Sequence, residues 1–332
     1  MYPDIPIYLA CLFVAGGLYL LAKSADWFVD GAAAFARWAG LSPLVVGMVV
    51  IGFGTSAPEL CVSVLSGLSH HSDLSLGNAY GSSIFNIAFI LGLAAVLRPL
   101  KVKPRVATVS SALLVAISLF SCMLVGEGEG FSRADGLLSL AVFAVLMPLY
   151  CWFDSKNNPP HATAHREEAR ERIAPMLASL FGGLAVLVAS SHVLVWGSVQ
   201  IAKAMGVSEL VIGLTIVAVG TSLPEVASAV ASARKGENEF VLGNIIGSNF
   251  FNTLAVVGLA GAISPFKHVS RYILLRDMPV MVAASATIFL FGFNFANPRK
   301  HGRIGRIKGV IWLATMAAYF AVMLWQELHN QT

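Results

Sequence analysis

The sequence predicts an all-α polytopic membrane protein: ten transmembrane helices in two inverted five-helix repeats, with broken helices at the midplane. Three observations lead there. The chain of 332 residues is 57% hydrophobic and 12% charged, with several apolar runs long enough to cross a hydrocarbon core of roughly 30 Å. Residues 40–99 recur as residues 206–265, without a gap. Gly40, Gly54, Thr55, Ser56, Pro58, Glu59, Gly77, Asn78, Gly81, Ser82, Phe85, Asn86, Gly92 and Pro99 fall on Gly206, Gly220, Thr221, Ser222, Pro224, Glu225, Gly243, Asn244, Gly247, Ser248, Phe251, Asn252, Gly258 and Pro265. Roughly 23 of 60 positions in the two stretches are identical, which marks a duplicated unit. Finally, each half holds five apolar spans, and an odd number turns the second copy over relative to the first.

Taken in order, the spans centre near residues 14, 55, 86, 115, 144, 186, 220, 251, 284 and 316. The first apolar run lacks the basic region of a signal peptide and is followed by further spans, so it is expected to be retained. It continues through Lys23, Asp26, Asp30 and Arg37 toward Gly40, which predicts a long tilted helix. Its counterpart before Gly206 is built alike, with Gly197 matching Gly31. The polar stretch from Asp154, containing Asn157, Asn158, Pro159 and Pro160 and the run HREEARER, reads as a cytoplasmic linker over 154–174. It separates a first repeat, 1–153, from a second, 175–332. His161 and His165 have helical spacing but lack companion ligands, so that stretch is expected to be a solvated face. Glu127 and Glu129 among glycines read as an ordinary turn.

Charge sets the orientation. With the N-terminus outside, the inner loops collect about 16 Lys and Arg residues against about 5 in the outer loops, a positive-inside bias that places both termini outside. The net charge of +4 therefore reflects topology and gives no reason to expect a nucleic-acid partner. Cys11, Cys61, Cys122 and Cys151 lack CxxC spacing and read as small buried hydrophobes without a disulfide or zinc role.

The chemistry lies in the repeated motif. In GTSAPE and GTSLPE, Pro58 and Pro224 interrupt apolar spans; each removes a donor and frees carbonyl oxygens that need a partner inside a membrane. Thr55, Ser56, Thr221 and Ser222 share a helical face with Glu59 and Glu225. In the following spans, Asn86 and Asn252 lie four residues after Ser82 and Ser248. Gly77, Gly81, Gly243 and Gly247 would let the helices approach closely. Two carboxylates, two amides and several hydroxyls, without thiolate or imidazole, favour a hard cation such as Ca²⁺ or Na⁺ over zinc or copper. A carboxylate deep in an apolar span is expensive and marks an ion pathway more readily than a packing contact. Asp26, Asp30 and His192 are not shared between the halves. The aspartates fit an interfacial or packing role, and His192 a buried or interfacial one.

These two stretches resemble the alpha repeats of the Ca²⁺/cation antiporter superfamily, most closely its prokaryotic sodium/calcium exchangers. The resemblance covers residues 24–99 and 190–265 closely and the ten-span layout nearly throughout. It implies Ca²⁺ ligands at Glu59 and Glu225, with Thr55, Ser56, Ser82, Asn86, Thr221, Ser222, Ser248 and Asn252 around them and Na⁺ competing for the same region. It also implies that spans 1 and 6 slide against the other eight. One departure stands out: well-described members carry an aspartate where this chain has Asn252. Two glutamates balance one Ca²⁺ or two Na⁺, so stoichiometry or the driving ion is expected to differ from a three-Na⁺ pattern.

The function expected is secondary active exchange of Ca²⁺ for Na⁺ by alternating access, in a prokaryotic inner membrane. The chain has no GxxxxGK[ST] loop, so no nucleotide partner or cofactor is expected. The rival reading is exchange of Ca²⁺ or another cation for H⁺, with a proton on Glu59 or Glu225. A passive cation channel is the alternative of another class. An intramembrane enzyme is disfavoured because Ser56 and Ser222 lack a matched histidine. The sequence leaves the oligomeric state open.

Overall fold

A computed structural model describes residues 5–68, 72–126, 130–157, 173–206, 218–265 and 269–329. Helix α1 runs over Ile7–Ala39 as one 33-residue helix, as its uninterrupted apolar run requires. It stops at Gly40, whose φ of 66° lies in the left-handed region and whose N–H returns to Ala36 O. Gly206 ends the matching helix of the second repeat with a φ of 78°. Glycine meets no Cβ penalty in this conformation, so the turn falls at the same place twice.

Helix α2, Pro43–Thr55, is followed after a 45° bend by α3, which is apolar enough to complete the span as far as Leu65 and runs over Ala57–Leu68. Next come α4 (Ser75–Leu97), α5 (Val106–Gly126) and α6 (Arg133–Asn157). The second repeat supplies α7 (Ile173–Ala204), the short α8 (Ala218–Thr221), α9 (Leu223–Lys235), α10 (Asn238–Ile263), α11 (Ile273–Gly292) and α12 (Arg306–His329). Where both copies are described, the helices of the second repeat follow those of the first at the 166-residue offset to within several residues.

Among the described residues, eight helices are long and apolar enough to cross a membrane, and the bent pair α2–α3 makes a ninth span. The expected span centred on residue 220 lies partly outside the described residues, at 207–217. The all-α class holds, with one small strand pair beside the helices. Leu100–Val102 (β1) and Gly302–Ile304 (β2) form a small antiparallel ribbon, with Lys101 opposite Arg303. Leu100, Val102 and Ile304 are buried and the two basic residues exposed, the alternation that makes a half-buried strand favourable.

Burial is graded from the middle outward. The most apolar stretch of α10 is 100% buried and that of α4 72%, against 17% for α12. The two helices bearing the GNxxGSxxFN stretch therefore form the centre of the bundle. Leu44, Met48, Tyr80, Ile84, Leu242, Ile246 and Phe250 belong to its main core. A second core joins α1 to α7 through Leu21, Phe28, Val29, Leu180, Leu187 and Leu194. These helices cross closely because they lack side chains at their contacts: a Cβ on Gly31 would lie 2.7 Å from Leu180 Cα, and one on Gly197 2.7 Å from Ala10 O.

Gly243 lets α10 approach α2 in the same way, since a Cβ there would meet Leu44 O at 2.5 Å. No described residue lies within 4 Å of a Cβ placed on Gly77 or Gly81. Residues 210–214, the repeat counterparts of 44–48, lie outside the described residues.

Several expectations change. Cys11 and Cys61 are exposed, not buried, because an apolar outer surface accommodates a thiol as well as the interior does. His192, expected to be buried or interfacial, is exposed on α7, which removes the buried alternative. Asp26 and Asp30 form a contact at the end of α9, where Lys235 Nζ lies 2.6 Å from Asp30 Oδ1 and donates to Asp26 O at 2.9 Å. Asp154, expected to open the linker, belongs to α6. It is buried and accepts a 2.5 Å hydrogen bond from Ser42 Oγ, while that hydroxyl also accepts from Val45 N and caps α2. Residues 127–129 and 158–172, with Glu127, Glu129, His161 and His165, lie outside the described residues.

Candidate cation site

Two helix breaks create the site. At Ser56 the backbone leaves the helix with φ −82° and ψ 6°, and at Ser222 with φ −91° and ψ 7°. Pro58 and Pro224 follow two residues later, where a missing N–H interrupts the helical ladder. Both serine side chains thereby turn away from their own helices toward the opposite repeat. Ser56 Oγ donates to Glu225 Oε1 at 3.0 Å, and Ser222 Oγ donates to Glu59 Oε1 at 2.9 Å. Thr55 also stands beside Glu225 and Thr221 beside Glu59. Each carboxylate is thus tied to the helix break of the other repeat.

Glu59, Glu225, Asn86 and Asn252 are each 1% exposed. Their remaining oxygens, Glu59 Oε2, Glu225 Oε2, Asn86 Oδ1 and Asn252 Oδ1, are buried without a hydrogen-bond partner. An unmade hydrogen bond at a buried polar atom costs about 1–3 kcal/mol, and more at a charged one. Of the six buried side-chain atoms without a partner among the described residues, these four form two pairs related by the repeat; the other two, Asn238 Oδ1 and Thr253 Oγ1, belong to the second repeat alone. The four paired atoms are all acceptors, so a cation suits them where a further acceptor would not.

Helix geometry prepares the amides. A π-helical turn begins at Asn86 (Asn86–Leu91), and another spans Phe251–Val256 and contains Asn252. Such wide turns are frequent at functional sites because they re-aim a side chain within a helix.

Other expected residues hold the site together. Thr55 Oγ1 donates to Ile51 O at 3.0 Å and lies 3.3 Å from Asn244 Oδ1. Ser248 Oγ reaches Gly52 O and Asn244 Oδ1 at 3.4 Å each. Ser82 is buried on α4. Pro224 should free the carbonyl of Gly220, and Ser191 Oγ on α7 donates to that oxygen at 3.0 Å, so protein supplies one partner for it and one lone pair is left.

Sequence reasoning passed over four supporting side chains. Asn78 Nδ2 donates to Glu59 O at 3.2 Å. Asn244 Nδ2 donates to Ser228 Oγ at 3.0 Å, and Ser228 Oγ to Glu225 O at 3.1 Å. Asn249, 1% exposed, accepts a hydrogen bond from Asn86 Nδ2 at 3.1 Å. The repeated Gly-Asn pairs at 77–78 and 243–244 were a usable signal for the first two. Asn249 has Ser83 as its repeat counterpart, so duplication alone did not reveal it.

Among the described residues, no cluster of three or more His, Cys, Asp or Glu exists. The candidate site is thus a hard-oxygen site with two charges and neutral amides.

The sodium/calcium exchanger protein family matches this chain over residues 9–152 and 176–325. Inner membrane protein YrbG of Escherichia coli is 35% identical over 326 residues, covering 96% of this chain and 97% of that protein. Sodium/calcium exchanger MaX1 of Methanosarcina acetivorans is 28% identical over 348 residues, covering 93% of this chain and 97% of its own length. Among solved structures, that of the sodium-calcium exchanger NCX_Mj superposes with a TM-score of 0.83 at 30% identity, over 95% of this chain and 99% of that chain.

Proposed function

The chain belongs to the sodium/calcium exchanger family, and from that premise we propose that it exchanges Ca²⁺ for Na⁺ by alternating access at the Glu59–Glu225 site. The observation that carries this reading is the set of four buried oxygens without partners, two carboxylate and two amide, contributed equally by the two repeats. Both ions are cargo. Ca²⁺ meets the two carboxylates in charge, and its flexible coordination of six to eight oxygens tolerates mixed carboxylate and amide ligands.

Sealing supports alternating access over a passive channel. Glu59 and Glu225 are 1% exposed and held by serines from the opposite repeat, whereas a channel needs a continuous wet path. With cation bound, the carboxylates are neutralised and the occupied site can change sides. When empty, the charged site opposes that passage, which couples one flux to the other.

The spans place the protein in a membrane as a multi-pass chain. The basic-residue bias supports termini on the outer side and a prokaryotic inner membrane. The second copy then enters from the opposite face, an arrangement common in secondary transporters.

Protons are the competing co-ion, because Oε2 of either glutamate offers a free acceptor. The deciding experiment is ⁴⁵Ca²⁺ uptake into sealed proteoliposomes loaded with Na⁺, K⁺ or choline, with and without an imposed pH gradient. Uptake that requires internal Na⁺ supports the proposal. Uptake driven by the pH gradient alone replaces Na⁺ with H⁺, and uptake under neither gradient removes Ca²⁺ as the substrate.

A further inference from the structure

Asn86 is one of two amides in the candidate site, and an amide serves a cation only if its oxygen faces the ion. Its NH₂ group, turned inward, would repel one. The direction in which Asn86 points is set by a relay outside the four-oxygen cluster. Its fixed end is the carbonyl of Ser83, which can only accept. Asn249 Nδ2 donates to that carbonyl at 3.4 Å. Asn249 must therefore turn Oδ1 the other way, and there it accepts from Asn86 Nδ2 at 3.1 Å. With its NH₂ engaged, Asn86 presents Oδ1, the atom left buried without a partner. Flipping either amide would set two acceptors or two donors against each other, so the Ser83 carbonyl dictates both orientations.

The relay is not duplicated. The repeat counterpart of Asn249 is Ser83, whose hydroxyl is committed to Ala79 O at 2.9 Å. The second repeat thus holds the amide of the first, and nothing of the same kind is returned by the side chain of Ser83.

We propose that Asn249 is a positioning residue that holds the Asn86 oxygen toward the transported cation and thereby sets the apparent affinity for Ca²⁺. This rests on the site reading given above, and the test separates the two. Apparent Ca²⁺ affinity is measured by Na⁺-driven ⁴⁵Ca²⁺ uptake with the full chain in proteoliposomes, for Asn86→Ala, Asn249→Ser and the double variant. Asn86→Ala is expected to raise the half-saturating Ca²⁺ concentration about tenfold, the scale of one buried hydrogen-bonding group. Asn249→Ser should raise it comparably, and the double variant no further, because an undirected Asn86 has already stopped contributing.

Losses that multiply to about a hundredfold would overturn the positioning role while leaving the site intact. An Asn86→Ala variant with unchanged affinity would instead remove Asn86 from the site, and the inference with it. The half-saturating concentration does not depend on the amount of folded protein, so poorer folding of a variant lowers its maximal rate and leaves this readout in place. Asn249→Asp gives the second arm: it keeps an acceptor facing Asn86 Nδ2, so adding Asn86→Ala should again cost about tenfold. Loss of that penalty in Asn249→Asp would contradict the relay.

Discussion

Ser56 Oγ donates to Glu225 Oε1 at 3.0 Å, and the same contact recurs with the repeats exchanged, from Ser222 to Glu59 at 2.9 Å. Each glutamate therefore depends on a residue of the other repeat, and neither half completes the site alone. A hydrogen bond to a buried charged group contributes about 1.5–3 kcal/mol. Ser56→Ala and Ser222→Ala should each weaken apparent Ca²⁺ affinity at least tenfold and by similar factors, as measured by concentration-dependent uptake. A large loss in one and none in the other would show that the two contacts are not equivalent.

Charge count gives a second prediction. Glu59 and Glu225 supply two negative charges, and Asn86 and Asn252 add none, so a third Na⁺ would leave excess positive charge in a poorly solvated site. Exchange is expected to be electroneutral, with two Na⁺ per Ca²⁺. Uptake should then be insensitive to a K⁺/valinomycin potential. A reversal potential that fits three Na⁺ per Ca²⁺ would refute the argument.

Much of this was legible in the sequence, for a physical reason. Carboxylates and amides are costly inside apolar spans, so their reappearance at a fixed offset pointed to Glu59, Glu225, Asn86 and Asn252, which carry four of the orphaned oxygens. Gly40 and Gly206 announced their turns because only their left-handed backbone needs glycine twice. Less legible were features that break the repeat. Asn249 and Ser191 occupy positions where the other half has Ser83 and Ala25, and their roles depend on contacts between distant spans. The β1–β2 ribbon pairs residues about two hundred positions apart, beyond the reach of local periodicity. Outward-facing Cys11 and Cys61 escaped because hydropathy in a membrane protein does not separate core from lipid-facing surface.

Close packing at the centre predicts a stability effect. Gly243→Ala would place a methyl group 2.5 Å from Leu44 O, with Gly47 Cα at 3.0 Å, and backbone cannot yield as a side chain does. Overpacking of this kind costs about 1–3 kcal/mol. The melting temperature of the detergent-solubilised variant should fall by several degrees, and an unchanged melting curve would show that α2 and α10 separate readily.

A second stability prediction concerns the periphery. Asp277 is 3% exposed and bonds Arg276 Nε at 2.6 Å and Tyr319 OH at 2.8 Å, while Arg276 Nη1 reaches Gln326 Oε1 at 2.8 Å. The cluster ties α11 to α12. Asp277→Ala should destabilise by about 1–3 kcal/mol because it removes the charged partner of a part-buried guanidinium and the acceptor of the Tyr319 hydroxyl. Replacing Arg276 and Asp277 together with Met and Leu should recover most of that loss in a thermal melt. A double variant no better than Asp277→Ala would assign the effect to packing.

The central claim is that Glu59 and Glu225 together hold the transported ion, and the most direct measurement compares Na⁺-gradient-driven ⁴⁵Ca²⁺ uptake by the parent, Glu59→Gln and Glu225→Gln in matched proteoliposomes. Glutamine keeps the size and one oxygen but removes a charge. Each single variant is therefore expected to lose uptake by about a hundredfold or more, the scale of losing one partner of a buried charged interaction. Parent-like uptake by either variant would contradict the account.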